Sequence, residues 1–178
     1  MTSPLDEVSP LGSFAQVPTS ISAADEAHLL RAIAVAALAR ANGNHPFGAI
    51  LVTADGTIIE SQNSVVTGND PTGHAETNLV RLASARLDKT ALRSSTLYTS
   101  TEPCAMCSGA IYWSGIGRVA YALPEQDLGA MVPSQDGEPT LDLPCREVFA
   151  RGGGTVVVAG PALVAEATEV HRGFWDAR

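Results

Sequence analysis

The chain predicts a three-layer α/β/α domain, one mixed five-stranded sheet with helices on both faces. Three observations carry that prediction. Short β-branched runs alternate with longer segments of helical apolar spacing. The 178 residues are 45% hydrophobic, which suffices for a core without disulfides. No internal repeat divides the chain, so residues 21–178 read as a single domain behind a mobile, Pro- and Ser-rich arm over residues 1–20.

The elements follow in order. Ser22-Ala23-Ala24-Asp25 has the form of a capping box, with Asp in the place usually held by Glu. Behind it, Leu29, Leu30, Ile33, Val35, Ala37 and Leu38 predict a helix of about five turns. Asn42-Gly43 ends that helix, because both residues tolerate the left-handed conformation. Phe47 to Thr53 reads as a buried strand, Ala54-Asp55-Gly56 as a hairpin turn and Thr57 to Asn63 as the partner strand. After the loop Asn69 to Gly73, a helix is expected from about His74 to Leu87. Thr96 to Thr101 is a short strand, and Pro103 suits the first turn of a helix reaching about Trp113. Gly117 to Ala122 is the next strand. Residues 124–144 form a Pro-rich acidic stretch with five carboxylates and no basic residue. A short helix over Pro144 to Ala150, a strand over Thr155 to Ala159 and a helix from Pro161 to about His171 complete the chain.

Charge narrows the function. The formal net charge is -8, and ten of the eleven basic residues are Arg, Lys89 being the exception. A nonspecific nucleic-acid or anionic-membrane binder needs a basic surface, so neither partner is expected. No basic start followed by an apolar run opens the chain, and its longest apolar run, Ala32 to Ala39, is far short of a membrane span. The expected setting is the reducing cytoplasm, where close thiols more often hold metal than form a disulfide. The cysteines are Cys104, Cys107 and Cys145, an odd number with one C-x-x-C pair.

Two short segments concentrate the chemistry. His74-Ala75-Glu76 and Pro103-Cys104-Ala105-Met106-Cys107 each open a predicted helix. Thiolates at i and i+3 share one face of a helical turn, and the helix N-terminus favours their ionised form. With the imidazole of His74 they make three ligands for one zinc ion per chain, leaving the fourth position open as in catalytic sites. Glu76, two residues beyond His74, is placed to act as the proton carrier. A structural zinc or a redox dithiol is the alternative for the C-x-x-C pair taken alone. The combined pattern, H-x-E with P-C-x-x-C, resembles the zinc deaminase signature at every fixed position.

The sequence resembles the cytidine-deaminase-like superfamily, and within it the guanine deaminase and tRNA adenosine deaminase branch. Three segments carry the likeness: His45-Pro46-Phe47-Gly48-Ala49-Ile50-Leu51-Val52, the run Asn69 to Glu76, and the run Leu97 to Trp113. It spans about residues 25–130. Gly73 departs from the Ala usual in that branch at this place. The resemblance implies a cytidine-deaminase-like fold and hydrolytic deamination of a free nucleobase, guanine to xanthine and ammonia in the first instance. Cytosine, adenine, guanosine, a triazine, or adenosine in a tRNA are the alternative substrates, and a non-catalytic zinc module is the alternative outside enzymes.

By the same resemblance, Phe47 would stack on the base and Asn63 would hydrogen-bond its edge. The backbone of Ala75 would donate to the ring, Asp127 would orient the base, and Trp113 would wall the cleft. For Phe47 and Trp113 simple packing is the competing reading; for Asn63 it is a turn role, and for Asp127 a solvated acid. The family likeness implies a homodimer, in which residues 130–178 either exchange between subunits or return to their own. Glu102 is expected to serve a helix dipole, and Cys145 to be a packed free thiol.

Overall fold

The computed structural model describes residues 19–132 and 141–176. All but the last two residues of the arm over residues 1–20, and residues 133–140 of the acidic stretch, therefore lie outside the described residues. Helix α1 (Ala23–Ala41) begins with the anticipated box: Ser22 Oγ accepts from the Asp25 N–H, and the Asp25 carboxylate accepts from the Ser22 N–H. Strands β1 (Gly48–Val52) and β2 (Ile58–Gln62) form the hairpin. A short α2 (Val65–Gly68) precedes α3 (Ala75–Ser84), α4 (Lys89–Arg93) and β3 (Thr96–Thr101). Then come α5 (Ala105–Ser114), β4 (Arg118–Leu123), α6 (Glu125–Gly129), α7 (Cys145–Arg151), β5 (Val157–Ala159) and α8 (Val164–Glu169).

The sheet order is β2-β1-β3-β4-β5. β1 runs antiparallel to both β2 and β3, while β3, β4 and β5 run parallel. Strand alternation sorts side chains into two cores. Ala49, Leu51, Leu97, Val119, Tyr121 and Val158 face a cluster with Leu79 of α3, Ile111 of α5 and Phe149 of α7. Ile50, Tyr98, Ala120, Ala122 and Ala159 face the other, with Leu29, Ala32 and Ile33 of α1 and Ala167 of α8. The three-layer expectation therefore stands. Among the described residues, no helix is long and apolar enough to cross a membrane.

Four departures from the sequence reading exceed a residue or two at an element's end. The expected helix from His74 to Leu87 stops at Ser84, and a separate α4 starts behind Asp88, whose carboxylate caps Ala91. α2 was not anticipated, because four residues carry no readable period. The acidic stretch contains α6. The last helix starts at Val164 rather than Pro161, since Leu163 takes a left-handed conformation at φ 57°.

Packing of α1 on the sheet depends on small residues. A Cβ at Gly48 would fall 2.3 Å from the Ala36 backbone N, so only glycine lets β1 lie this close to the helix. Asp25 then locks the same helix to the sheet. Its carboxylate accepts from both Arg118 nitrogens, Nη1 at 2.7 Å and Nη2 at 3.2 Å, and from the Tyr98 hydroxyl at 2.8 Å. Both charged side chains are less than a tenth exposed.

Burial alone would raise the Asp25 carboxyl pKa, but Arg118 and the Ser22 and Tyr98 donors together hold it well below the usual range. A folded-state pKa below the unfolded value gives stability that is present above about pH 4 and lost as pH falls below it. Arg118→Ala strands a buried carboxylate. It is expected to destabilise the fold by about 3–5 kcal/mol and to flatten the acid limb of the stability profile. Urea unfolding from pH 3 to 7 reads both; a loss under about 1 kcal/mol would contradict this account.

Candidate metal centre and active-site cleft

The parallel strands β3 and β4 end at one edge of the sheet, and the site lies just outside it, as is usual for open α/β sheets. β3 delivers Thr101, Glu102 and then Cys104, the N-cap of α5. β4 delivers Glu125 and Leu128 on α6. His74 is the N-cap of α3, which packs beside α5. Two helix N-termini thus meet over the strand ends.

Their side chains converge. His74 Nδ1 lies 3.7 Å from Cys104 Sγ and 3.5 Å from Cys107 Sγ. A tetrahedral zinc with ordinary Zn–S and Zn–N bonds separates its S and N ligands by about 3.6 Å. The three ligand atoms all lie within 4.8 Å of one another, so the donor set fits a single zinc ion. The thiols behave as a pair. A hydrogen bond from Cys107 brings the Cys104 pKa down to about 4, and the same bond and burial push Cys107 well up. The hydrogen bond to Cys104 raises the His74 pKa against the effect of burial. Zinc binds thiolates, so an ion held by both cysteines displaces the proton they share.

Glu76 is 5% exposed, and burial raises its carboxyl pKa. Thr99 Oγ1 donates to its Oε1 at 2.7 Å, and Cys107 Sγ lies 3.5 Å from its Oε2. The carboxyl is therefore fixed beside the metal ligands in a dry setting, where it both takes and releases protons readily.

The cleft in front of this centre is lined by Phe47, His74, Glu76, Thr101, Glu102, Cys104, Glu125 and Leu128. Phe47 reaches it from the start of β1, backed by the rings of His171 and Trp175. Asn63 stands behind Phe47, its backbone N–H donating to the Phe47 carbonyl at 3.0 Å. Asn63 Oδ1 accepts from the Val65 N–H at 3.0 Å, while Nδ2 is buried without a partner. Ala75 is buried as the first residue of α3, where backbone N–H groups have no partner inside the helix.

Of the five expected substrate contacts, Phe47 is among the residues that line the cleft, whereas Asn63 and Ala75 lie behind it and Trp113 and Asp127 face away. Trp113 is 84% exposed and packs edge-on against Tyr112, because it sits on the side of α5 opposite the buried Cys107, Ser108 and Ile111. Asp127 points to solvent from α6, and the carboxylate that α6 turns inward is Glu125, two residues earlier. Burial, and then the Cys104, Glu76 and Glu102 charges, push the Glu125 pKa up to about 7. Glu125, Thr101, Thr99 and Leu128 were not singled out in the sequence. Their one signal is position, at or just beyond the C-terminal ends of two parallel strands.

Glu102 does serve helix N-termini, but of α6 and α7 rather than α5: its carboxylate accepts from the Glu125 N–H at 3.2 Å and the Cys145 N–H at 3.0 Å. Cys145 is the packed free thiol expected. Gly73 has a steric reason, since a Cβ there would lie 2.8 Å from Ser64 Oγ in the loop leading to His74.

Comparison with known proteins agrees with this geometry. Residues 22–123 match the family described as the cytidine and deoxycytidylate deaminase zinc-binding region. A probable cytosine deaminase of Schizosaccharomyces pombe is 42% identical over 159 residues, 89% of this chain and 96% of that protein. The guanine deaminase of Bacillus subtilis is 49% identical over 82 residues, 46% of this chain and 53% of that protein. Bacterial tRNA-specific adenosine deaminases match at 40% identity and below. The solved guanine deaminase from Nitrosomonas europaea superimposes with a TM-score of 0.69 at 26% identity, covering 89% of this chain and 88% of that one.

Proposed function

Since the chain belongs to the cytidine and deoxycytidylate deaminase family of zinc-binding enzymes, we propose that it hydrolytically deaminates a free nucleobase, converting guanine to xanthine and ammonia. The observation that carries the reading is the buried Glu76 carboxyl beside the His74, Cys104 and Cys107 donors, at the floor of a cleft walled by Phe47. Zinc on those donors supplies Lewis-acid activation of water. Glu76 would carry the first proton of the attacking water to ring N3 as the C2–O bond forms, and the second, from the new C2 hydroxyl, to the amine as the C2–N bond breaks, so that nitrogen leaves as ammonia. Phe47 stacks on the ring, the orphaned Asn63 Nδ2 donates to a ring acceptor, and the Ala75 N–H supports the base. The working form is a homodimer, located in the cytoplasm.

Cytosine is the second reading, favoured by the nearly full-length match to the Schizosaccharomyces pombe protein. RNA is disfavoured by the net charge of -8, because an anticodon loop needs its phosphates neutralised. The test is ammonia release from guanine, cytosine, adenine, guanosine and a tRNA anticodon stem-loop by the zinc-loaded protein. Guanine is expected to turn over at least about tenfold faster, in kcat/KM, than the other substrates. Preferred turnover of cytosine selects the second reading, and turnover of the stem-loop alone overturns free-base deamination.

A further inference from the structure

We propose that Glu125 sets substrate specificity in this cleft, accepting a ring N–H of a free base and rejecting the same base as a nucleoside monophosphate. The inference rests on free-base deamination and goes beyond it, since the family's own description includes a nucleotide substrate. Among the described residues, every carboxylate lining the cleft except one already has hydrogen-bond donors. Glu76 accepts from Thr99, and Glu102 from two backbone N–H groups. The half-buried Glu125 carboxylate has none, although Glu102 holds its backbone in place.

A second group points the same way. Thr101 is 2% exposed, lines the same cleft, and its Oγ1 is buried without a partner. A buried polar atom left unpaired costs stability unless a ligand satisfies it. Thr101 and Glu125 together present a hydroxyl and a carboxylate, which suit the acceptor and N–H donor edge of a neutral base. Among the described residues, no Arg or Lys lines the cleft. A phosphate brought against Glu102 and Glu125 meets like charge with no basic side chain among the described lining residues to offset it.

Binding measured in a Glu76→Gln background, where substrate is not consumed, tests this directly. The ratio of Kd for the 5′-monophosphate to Kd for the free base is read for guanine and for cytosine, with zinc content checked in each sample. A hydrogen bond to a charged acceptor is worth roughly tenfold to a hundredfold in affinity. Adding Glu125→Gln is expected to lower the ratio at least about tenfold, whereas Glu125→Asp, which keeps the charge, retains most of it. An unchanged ratio in Glu125→Gln overturns the assignment of Glu125. If ammonia release from free bases persists in the wild-type chain, free-base deamination survives that failure. A chain that binds no base overturns both.

Discussion

Glu76→Gln is expected to keep its zinc and lose ammonia release by about a thousandfold or more. The substitution preserves size, and the Thr99 hydroxyl still has an oxygen to donate to at the Oε1 position. The metal donors His74, Cys104 and Cys107 are untouched. What is lost is a group that accepts a proton from water and delivers it to the leaving nitrogen. An amine does not leave a ring unprotonated, so the loss falls on kcat, with KM changing little. Steady-state kinetics beside a zinc assay read this outcome. Turnover within about tenfold of wild type in a zinc-replete variant would remove Glu76 from the proposed mechanism.

Loss of the metal is the second large effect. Cys107→Ser replaces a soft thiolate by a hydroxyl that is a poor zinc ligand, and leaves two protein donors where three are needed. Zinc content is expected to fall well below one per chain, and turnover with it by at least about a thousandfold. The fold loses stability too, because an ion that binds only the native state stabilises it by mass action. The apo protein is therefore expected to melt below the zinc-loaded form, in proportion to the logarithm of free zinc. The same melting temperature with and without zinc would contradict this coupling.

Much of the fold could be read in the sequence where local chemistry dictates it. Ser22 and Asp25 announce the start of α1 because their reciprocal bonds close within four residues. Strands were legible from β-branched runs, with edges shifted by at most two residues as pairing rather than propensity trims them. Residues whose roles depend on distant partners were not legible. Asp25 reads as a cap, yet it also anchors Arg118, 93 residues away. α2 is too short for a period and is fixed from outside, by Asn44 Oδ1 accepting from Thr67.

The site divides along the same line. His74, Glu76, Cys104 and Cys107 were visible because each pair sits on one helical turn with a spacing that chemistry requires. The cleft walls were not. Glu125 looks like one more solvated acid in an acidic run, and only the crossing of β3 and β4 ends makes it a wall residue. Asp127 and Trp113 share the chemistry of substrate contacts, but helix phase turns both outward.

The most direct test of the catalytic zinc centre combines metal analysis and ammonia release on one preparation purified without chelator. The account predicts one zinc per chain, loss of ammonia release when zinc is stripped, and its return on adding zinc back to the wild-type chain but not to Cys107→Ser. Full ammonia release from metal-free protein, or from Cys107→Ser without bound zinc, would contradict it.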